Sequence, residues 1–324
     1  MAGVIEKGAI MAVAVPKRSY TGAIRTVILG KGSKSFTVGG ATAFPFYTFE
    51  GQNPNPPRFG LEIQDIPPSD WADSLLEAYG DATKEPATWA RKCVGEFGAD
   101  LIQLTLAGIN PNDQDLPAAS AVKVAQEVAR AVDVPLAIWG CGNAAKDAEV
   151  LRAVCEALPD RRLAIGPVVE GNLKQLGAVA LTYHHVVIGS TPIDINLAKQ
   201  LNVLLCNLGV PEGDILIDPT VGGLGYGLEY TYSVMERVRA AALTQQDDKL
   251  QYPLYCNLGA EVWKTKEAQA PGSDPKMGDT KSRGMLMEVV TASTMLAAGG
   301  DILIMRHPEA LKLARKLVRE LASS

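Results

Sequence analysis

Residues 184–220 read HHVVIGSTPIDINLAKQLNVLLCNLGVPEGDILIDPT, and this stretch holds one complete repeat unit of the predicted fold. It begins with an apolar run over 184–190, continues with a helical pattern over 194–208, and ends with a second apolar run over 214–220. Short runs rich in Ile, Leu and Val are typical of parallel strands that are covered on both faces. The stretch therefore predicts a strand, a helix and a second, parallel strand.

The same alternation extends from this unit in both directions along the chain. Eight consecutive strand–helix units in about 265 residues match the size and order of a (β/α)8 barrel, also called a TIM barrel. A doubly wound sheet is the alternative, but eight unbroken units favour closure of the sheet. The predicted strands are 59–65, 100–106, 134–140, 161–167, 184–190, 214–220, 252–258 and 301–307.

The residues before the first of these strands follow a different pattern. Gly22–Gly40 is predicted to form a β-hairpin, with a turn at Gly30–Ser33. An extended connector rich in Pro, Asn and aromatic residues follows it. We therefore expect two parts, an N-terminal hairpin with a partner-contacting extension over 1–58 and a barrel over 59–324. The connector aromatics suit either a lid on the main core or a partner surface, since aromatic residues are enriched in interface cores.

Composition and charge narrow the possible partners. The chain of 324 residues has a net charge of −5, and its Lys and Arg residues do not cluster. Nucleic acid is therefore not an expected partner, because its binding depends on clustered basic residues. No apolar run approaches the roughly 20 residues that span a bilayer, and the N-terminus lacks the pattern of a signal peptide. We expect a cytoplasmic protein that does not bind membranes.

The cysteines do not indicate a metal site. They form no C-x-x-C pair, and their spacing fits neither a zinc ribbon nor an iron–sulfur cluster. We expect most of them to be buried thiols that act as small hydrophobes. Cys141 is the exception, because it lies between two glycines at a predicted strand end. The five are Cys93, Cys141, Cys155, Cys206 and Cys256.

The loops that follow the strands build the active face of a (β/α)8 barrel. In this chain they are rich in Gly, Asn, Ser and Thr, and some of these residues are expected to be helix N-caps. No G-x-S-x-G, H-E-x-x-H or G-x-x-x-x-G-K-[ST] motif occurs. The carboxylates of Asp65, Glu170, Asp194 and Asp218 lie on different loops, and no spacing identifies an acid–base pair. Together the loops could form a flat, polar platform rich in backbone groups.

The loop after the sixth strand has four glycines in six residues, GGLGYG over 222–227. A dinucleotide site needs the order G-x-G-x-x-G after the first strand of its fold. Here the order is G-G-x-G-x-G and the loop follows the sixth strand. Nucleotide binding is therefore not expected, and close approach of the backbone to another ligand is favoured.

Three segments carry a resemblance to a known family. They are IWGCGNAAKDAEVL (138–151), AIGPVVEGN (164–172) and DILIDPTVGGLGYGLEYTYSVMERVR (214–239). These segments are similar to the small subunit of the corrinoid iron–sulfur protein of acetogens and to the delta subunit of the archaeal acetyl-CoA decarbonylase/synthase complex. The resemblance covers nearly the whole chain, including the hairpin.

The resemblance implies a (β/α)8 barrel that forms a heterodimer with a large subunit, which carries a [4Fe–4S] cluster and a corrinoid-binding domain. It implies a methyl carrier of the reductive acetyl-CoA (Wood–Ljungdahl) pathway. The complex would accept a methyl group from methyltetrahydrofolate through a separate methyltransferase and pass it to acetyl-CoA synthase. The family holds its cofactor without a protein histidine, so the resemblance implies no metal ligand in this chain. No residue is assigned a catalytic role either.

The barrel top is then expected to cover one face of the corrinoid. A corrin is a broad, nearly flat ring edged with amides, so glycine backbone and Asn, Ser and Thr side chains suit it. Enclosing the ring would also exclude water. The residues predicted to bind the cofactor are Gly108, Asn110, Gly140, Cys141, Asn143, Gly171, Asn172, Ser190, Thr191, Asp218, Thr220, Gly222, Gly223 and Gly225.

Two alternatives stay open. A pterin-dependent corrinoid methyltransferase would itself bind methyltetrahydrofolate, and Asp65, Asn110, Asp218 and Asn257 would hold the amide-like edge of the pterin. A scaffold subunit would bind only other proteins and no cofactor.

Overall fold

Eight parallel strands close into a barrel in the computed structural model, which describes residues 16–269, 276 and 278–322. Residues 1–15 of the predicted N-terminal part lie outside the described residues. Each barrel strand pairs with the next along the chain, and the last strand returns to the first. The (β/α)8 barrel is therefore confirmed, and the doubly wound alternative is wrong. The barrel strands are β3 (Arg58–Gln64), β4 (Leu101–Thr105), β5 (Leu136–Trp139), β6 (Ala164–Val168), β7 (Val186–Ser190), β8 (Ile215–Asp218), β9 (Leu254–Asn257) and β10 (Gly300–Met305).

Helices surround the barrel and separate its strands. The helix after β7 shows why the sequence folds in this way: Asp194 precedes it and accepts hydrogen bonds from the backbone of Asn196 and Leu197 at 2.7 and 3.2 Å. Gly209 ends the same helix in a left-handed conformation. The helices are α1 (Asp73–Tyr79), α2 (Pro86–Gly95), α3 (Ala118–Ala131), α4 (Ala144–Ala157), α5 (Leu173–Tyr183), α6 (Ile195–Leu208), α7 (Leu228–Thr244), α8 (Leu258–Val262), α9 (Lys266–Gln269), α10 (Thr280–Ala297) and α11 (Pro308–Ala322).

Several strands are shorter than predicted, for local reasons. The fifth predicted strand loses His184, which ends α5 in a left-handed conformation. It also loses His185, whose buried ring accepts a hydrogen bond from the Leu163 backbone at 3.2 Å. The sixth predicted strand loses Thr220, whose φ of +52° is incompatible with an extended strand. Apolar periodicity thus located each strand, and local conformation set its ends.

The predicted hairpin is present, and it closes the N-terminal end of the barrel. Its strands β1 (Thr26–Leu29) and β2 (Phe36–Gly39) pair antiparallel. Backbone hydrogen bonds tie it to segments that precede barrel strands, from Arg25 to Gln251 at 2.8 Å and from Gly30 to Arg162 at 3.2 Å. Four hairpin side chains share one buried cluster with residues inside the barrel, namely Val27, Leu29, Phe36 and Val38.

Some apolar side chains of the N-terminal part face solvent. Ile28, Tyr47 and Phe49 are each between 44% and 48% exposed. The predicted partner-contacting role of this part therefore concerns these outward side chains rather than the hairpin face that covers the barrel. Separately, none of the helices within the described residues has both the length and the hydropathy needed to cross a membrane.

Candidate functional site

A cleft of about 670 Å³ opens at the C-terminal end of the barrel strands. Residues at or after all eight barrel strands line it, beginning with Glu62 on β3 and ending with Arg306 after β10. This is the end of the barrel at which enzymes of this fold build their active sites. The cleft is therefore the candidate site.

The structure brings eight of the fourteen predicted residues to this cleft. They come from the ends of four different strands and the loops that follow them, so their grouping depends on closure of the barrel. The eight that line the cleft are Asn110, Gly140, Cys141, Ser190, Thr191, Asp218, Thr220 and Gly222. The six that do not line it are Gly108, Asn143, Gly171, Asn172, Gly223 and Gly225.

Three of these six hold the loops through hydrogen bonds within the protein. The Gly108 backbone donates to Asp65 Oδ1 at 2.9 Å. Asn143 caps α4 and accepts from the Lys146 backbone at 3.1 Å. Asn172 is fully buried, and its side chain accepts from the backbone of its own loop at 2.8 Å and donates to a backbone carbonyl of β6 at 3.2 Å. These groups support the cleft from behind its surface.

A buried carboxylate shapes the loop after β5. Asp147 accepts hydrogen bonds from the backbone of Cys141 at 2.8 Å and of Gly142 at 3.0 Å. A side chain at Gly140 would overlap this carboxylate. Gly140 is thus required by the packing of Asp147, whereas Gly142 has a φ of +90° and open space around it.

The thiols follow the sequence prediction with one difference. Cys141 is partly exposed, and burial still raises its pKa, so it does not supply a thiolate at neutral pH. Cys93, Cys155 and Cys256 are buried, but Cys206 is partly exposed, where a buried thiol was expected. Across the described residues, no cluster of three or more His, Cys, Asp or Glu side chains has a geometry that could hold a metal ion.

Three of the four glycines in the loop over 221–227 divide into two groups. A side chain at Gly223 would overlap Ile193 Cδ1, so packing against Ile193 accounts for glycine at this position. Gly222 and Gly225 have neither a left-handed conformation nor a neighbour within 4 Å of an added Cβ. Of these two, only Gly222 lines the cleft. Gly222 is therefore the position of this loop where the backbone leaves room for a ligand.

Asp218, at the end of β8, is a buried carboxylate that lines the cleft. It is 2% exposed, and it accepts from Ser190 Oγ at 2.7 Å and from the Thr220 backbone at 3.0 Å. Burial raises its pKa to about 6, although both hydrogen bonds act in the opposite direction. Both oxygens are thus engaged by groups of the protein.

A buried ion pair in the cleft wall was missed by the sequence analysis. Arg306 donates to both carboxylate oxygens of Glu62, at 2.7 and 3.0 Å, and its guanidinium lies 4.6 Å from the centre of the Trp71 ring. The two charged side chains are 5% and 1% exposed. The sequence did carry a signal for this pair, because Glu62 is a charged residue within the apolar run FGLEIQD. Side chains alternate between the two faces of a strand, so Glu62 lies on the same side of β3 as Gln64.

The floor of the cleft is a fixed polar and aromatic layer. Tyr255 donates to Gln103 Oε1 at 2.7 Å, and Gln103 Nε2 donates to Asn257 Oδ1 at 3.3 Å. The Trp139 ring stacks on Tyr255 at a centroid distance of 6.1 Å and an angle of 8°. Trp139 also lines the cleft, so a flat aromatic surface lies beside the polar groups.

The fold brings only some of the four residues that were predicted to hold a pterin into the cleft. Asn110, Asp218 and Asn257 line the cleft, but Asp65 does not. Asp65 is buried, and burial raises its pKa although the loop backbone donates to it. Two of the three cleft residues, Asp218 and Asn257, already accept hydrogen bonds from Ser190 and Gln103.

Comparison with known sequences identifies close similarity to one family. The family described as CO dehydrogenase/acetyl-CoA synthase delta subunit matches residues 26–318. The acetyl-CoA decarbonylase/synthase complex subunit delta of Archaeoglobus fulgidus is 35% identical, over 94% of this chain and 70% of that protein. The corresponding subunit of Methanothermobacter thermautotrophicus is 36% identical, over 93% of this chain and 77% of that protein.

Comparison with solved structures identifies the same barrel at low identity. Xanthomonas albilineans dihydropteroate synthase with 4-aminobenzoic acid aligns with a TM-score of 0.58 and 13% identity, covering 92% of this chain and 98% of that one. Coxiella burnetii dihydropteroate synthase in complex with pteroic acid aligns with a TM-score of 0.56 and 11% identity, covering 93% and 100%. At such identities the likeness concerns the fold alone.

Proposed function

The chain belongs to the family of CO dehydrogenase/acetyl-CoA synthase delta subunits, and from this premise we propose that its barrel covers one face of a corrinoid cofactor. The other face would be held by a large subunit that also carries a [4Fe–4S] cluster. When bound, the corrinoid supplies a cobalt centre that carries a methyl group. The heterodimer would receive that group from methyltetrahydrofolate through a separate methyltransferase and deliver it to acetyl-CoA synthase.

The observation that carries this proposal is the open, glycine-bearing cleft at the barrel top. Its volume of about 670 Å³ lies within the roughly 300–1,000 Å³ of small-molecule and cofactor sites. At Gly142 and Gly222 an added side chain would meet only open space, so a ligand can approach the backbone closely at both. The stacked Trp139 ring adds a flat apolar surface.

The charges of the cleft suit a ligand edged with amides rather than a phosphate. Both cations of the lining are paired: Arg306 with Glu62, and Lys264 with Glu261 at 2.9 Å. The lining also includes the carboxylate of Asp113. Carboxylate oxygens accept hydrogen bonds from amide N–H groups, whereas an anionic ligand would meet like charge.

Particular residues would hold the ring. The side chains of Asn110, Thr191 and Thr220 line the cleft and can exchange hydrogen bonds with ring amides. Gly142 and Gly222 would let the backbone contact the ring edge. Together these groups would position the ring and exclude water from one side of it.

A matched pair of glycine variants tests the proposal. Gly222→Val fills the open space at the cleft, whereas Gly225→Val adds the same side chain outside it. Gly223→Val is unsuitable, because its side chain would overlap Ile193. In the complex copurified with the large subunit, we expect Gly222→Val to lower the ratio of corrinoid to protein about tenfold, equivalent to about 1.4 kcal/mol of binding free energy. Gly225→Val should leave the ratio unchanged.

The visible spectrum and the cobalt content of the purified complexes measure that ratio. Equal corrinoid retention in both variants would contradict the proposal and favour a scaffold without cofactor contact. Calorimetric titration of the isolated chain with methyltetrahydrofolate tests the other alternative, a pterin-dependent methyltransferase. A carrier subunit should give no binding heat, and a saturable heat would identify a pterin-dependent methyltransferase.

A further inference from the structure

Two amide side chains at the floor of the cleft carry hydrogen-bonding groups that the protein itself does not use. Gln64, at the end of β3, is 6% exposed, and Asn257, at the end of β9, is 9% exposed. Both line the cleft, and we call them the floor amides. Because the large majority of buried polar side chains are hydrogen-bonded, unused groups at these two positions indicate a ligand.

The amide of Gln64 is entirely unused. It makes no side-chain hydrogen bond to any of the described residues, yet it stays open to solvent in the cleft. The indole N–H of Trp71 shows the contrast, since it also has no partner but is closed off from solvent. Both the carbonyl oxygen and the NH2 group of Gln64 are therefore available to a molecule in the cleft.

The amide of Asn257 is used at its oxygen only. Gln103 Nε2 donates to Asn257 Oδ1 at 3.3 Å, and Tyr255 fixes Gln103 by donating to its Oε1 at 2.7 Å. The Nδ2 group of Asn257 has no partner among the described residues and is open to solvent. Asn257 thus offers a donor whose orientation the layer below it sets.

Strand register places the floor amides in one patch with a flat ring. Gln64 pairs with Thr105 on β4, and Thr105 pairs with Trp139 on β5. Gln103 Nε2 links this row to the far side of the barrel, because it donates to Thr105 Oγ1 at 3.2 Å as well as to Asn257. A flat group that enters the cleft can therefore contact both floor amides.

The buried charges beside the floor amides are already engaged. Arg306 donates to both oxygens of Glu62, and Asp218 accepts from Ser190 and from a backbone N–H of its own loop. The unused polar groups at the floor are thus neutral. A ligand carboxylate there would meet the like charges of Glu62 and Asp218, which is unfavourable.

A primary carboxamide is the neutral group that matches both floor amides. Its carbonyl oxygen can accept from Asn257 Nδ2 while its NH2 group donates to Gln64 Oε1. An ester of similar shape keeps the carbonyl oxygen but has no N–H group to donate to Gln64.

We propose that the floor amides bind a carboxamide side chain of the corrin rim and so select corrins whose side chains are amides rather than esters. This inference rests on the proposed function and adds to it the chemical group that the cleft recognises. Gln64 and Asn257 are then specificity-determining residues.

Two corrins test this selection in the complex with the large subunit, after removal of its own corrinoid. Dicyanocobinamide carries amides on its rim, and dicyanocobyrinic acid heptamethyl ester carries methyl esters. Visible-absorbance titrations give the Kd of each, and we expect the wild type to prefer cobinamide. In Gln64→Met we expect this preference to fall about three- to tenfold, the effect of one neutral hydrogen bond. Gln175→Met, on the exposed side of α5 and outside the cleft, should keep it.

Stability separates a recognition role of Gln64 from a structural one. Gln64→Met removes no hydrogen bond within the protein, so its urea unfolding midpoint should equal or exceed that of the wild type. Gln103→Met should lower the midpoint, because it leaves Tyr255 and Asn257 without their buried partner. A loss in Gln64→Met as large as that in Gln103→Met would overturn the inference.

The titrations distinguish failure of this inference from failure of the proposed function. Equal affinity of the wild type for both corrins, or an unchanged preference in Gln64→Met, would overturn the inference and leave corrinoid binding in place. A wild-type complex that binds neither corrin would contradict the proposed function and the inference with it.

Discussion

Buried carboxylates fix the loops around the cleft by accepting hydrogen bonds from the loop backbone. Asp65 holds the loop after β4, Asp147 holds the loop after β5, and Asp218 holds the loop after β8. Burial raises the pKa of all three, so loss of hydration outweighs the stabilisation from these donors. At the scale of the residue, the shape of the cleft thus depends on charges that are costly to keep buried.

The pH dependence of stability in the Asp218→Asn variant tests the cost of keeping this charge buried. The pKa of Asp218 is raised from 3.8 to about 6. The folded state therefore holds a proton that the unfolded state has lost between these values, so stability falls as pH rises from about 4 to about 6. Between pH 4 and pH 7.5, we expect the wild-type free energy of unfolding to fall by up to about 3 kcal/mol more than that of Asp218→Asn. Urea unfolding at both pH values measures this, and equal pH dependence would contradict it.

The Glu62–Arg306 pair gives a second prediction at the same scale. Arg306→Met leaves Glu62 buried without a partner, which should cost about 3–5 kcal/mol of stability. Adding Glu62→Leu should recover a large part of that loss, because no charge then remains buried. Lys281→Met is the control, since the Lys281–Glu77 pair is exposed and should contribute less than about 1 kcal/mol. Urea unfolding of the wild type, the two single variants and the double variant measures these losses of stability. A similar loss for the two single variants would count against the prediction.

At the scale of the element, the N-terminal hairpin closes the barrel with one face only. Val27 and Leu29 are fully buried against residues inside the barrel, whereas Ile28 between them is 48% exposed. This alternation is the two-residue period of a strand with one buried face. The hairpin thus shields the N-terminal end of the barrel from solvent and leaves the C-terminal end open as the cleft.

Neighbouring residues of the first hairpin strand test this arrangement. Leu29→Ala should destabilise the protein by about 2–5 kcal/mol, because it creates a cavity in the buried cluster. Ile28→Ala, one position earlier, should change stability by less than about 1 kcal/mol. The midpoints of urea unfolding give both values. A larger loss for Ile28→Ala than for Leu29→Ala would show that the opposite face is buried.

At the scale of the whole molecule, the hairpin and the barrel share one buried cluster, so we expect them to unfold together. The cluster inside the barrel contains residues from both, including Leu29 and Phe36 from the hairpin and Leu101, Val186 and Ile302 from the barrel strands. A second and larger cluster lies between the strands and the surrounding helices. The sequence division at residue 58 therefore marks a change of pattern, while the packing continues across it.

Removing residues 1–40 tests this continuity. The truncated chain would expose the N-terminal end of the barrel interior. We therefore expect a reduced unfolding midpoint and binding of the dye ANS, which reports exposed apolar surface. Near-UV circular dichroism should weaken as packing is lost. A truncated chain with the unfolding midpoint of the full chain would show that the barrel is independent of the hairpin.

Much of the fold could be predicted from the sequence, because hydrophobic periodicity is a local property. The apolar runs at 184–190 and 214–220, with the helical pattern between them, contain enough information for one unit, and eight such units favour a closed barrel. The order of the chain also places the loops after the strands at one end. The site could be predicted only to that end of the barrel, and within it Gly222 could not be distinguished from Gly223.

The sequence alone thus determined the (β/α)8 architecture, the N-terminal hairpin and the group of loops that form the cleft. Only the tertiary structure decided which side chains enter the cleft and which support it. Glu62 and Arg306 are 244 positions apart in the chain, and Gly140 is required by the Asp147 carboxylate packed against it. The physical reason is that hydrogen bonds and steric contacts depend on distances of a few ångströms, which closure of the barrel sets between residues that are far apart in sequence.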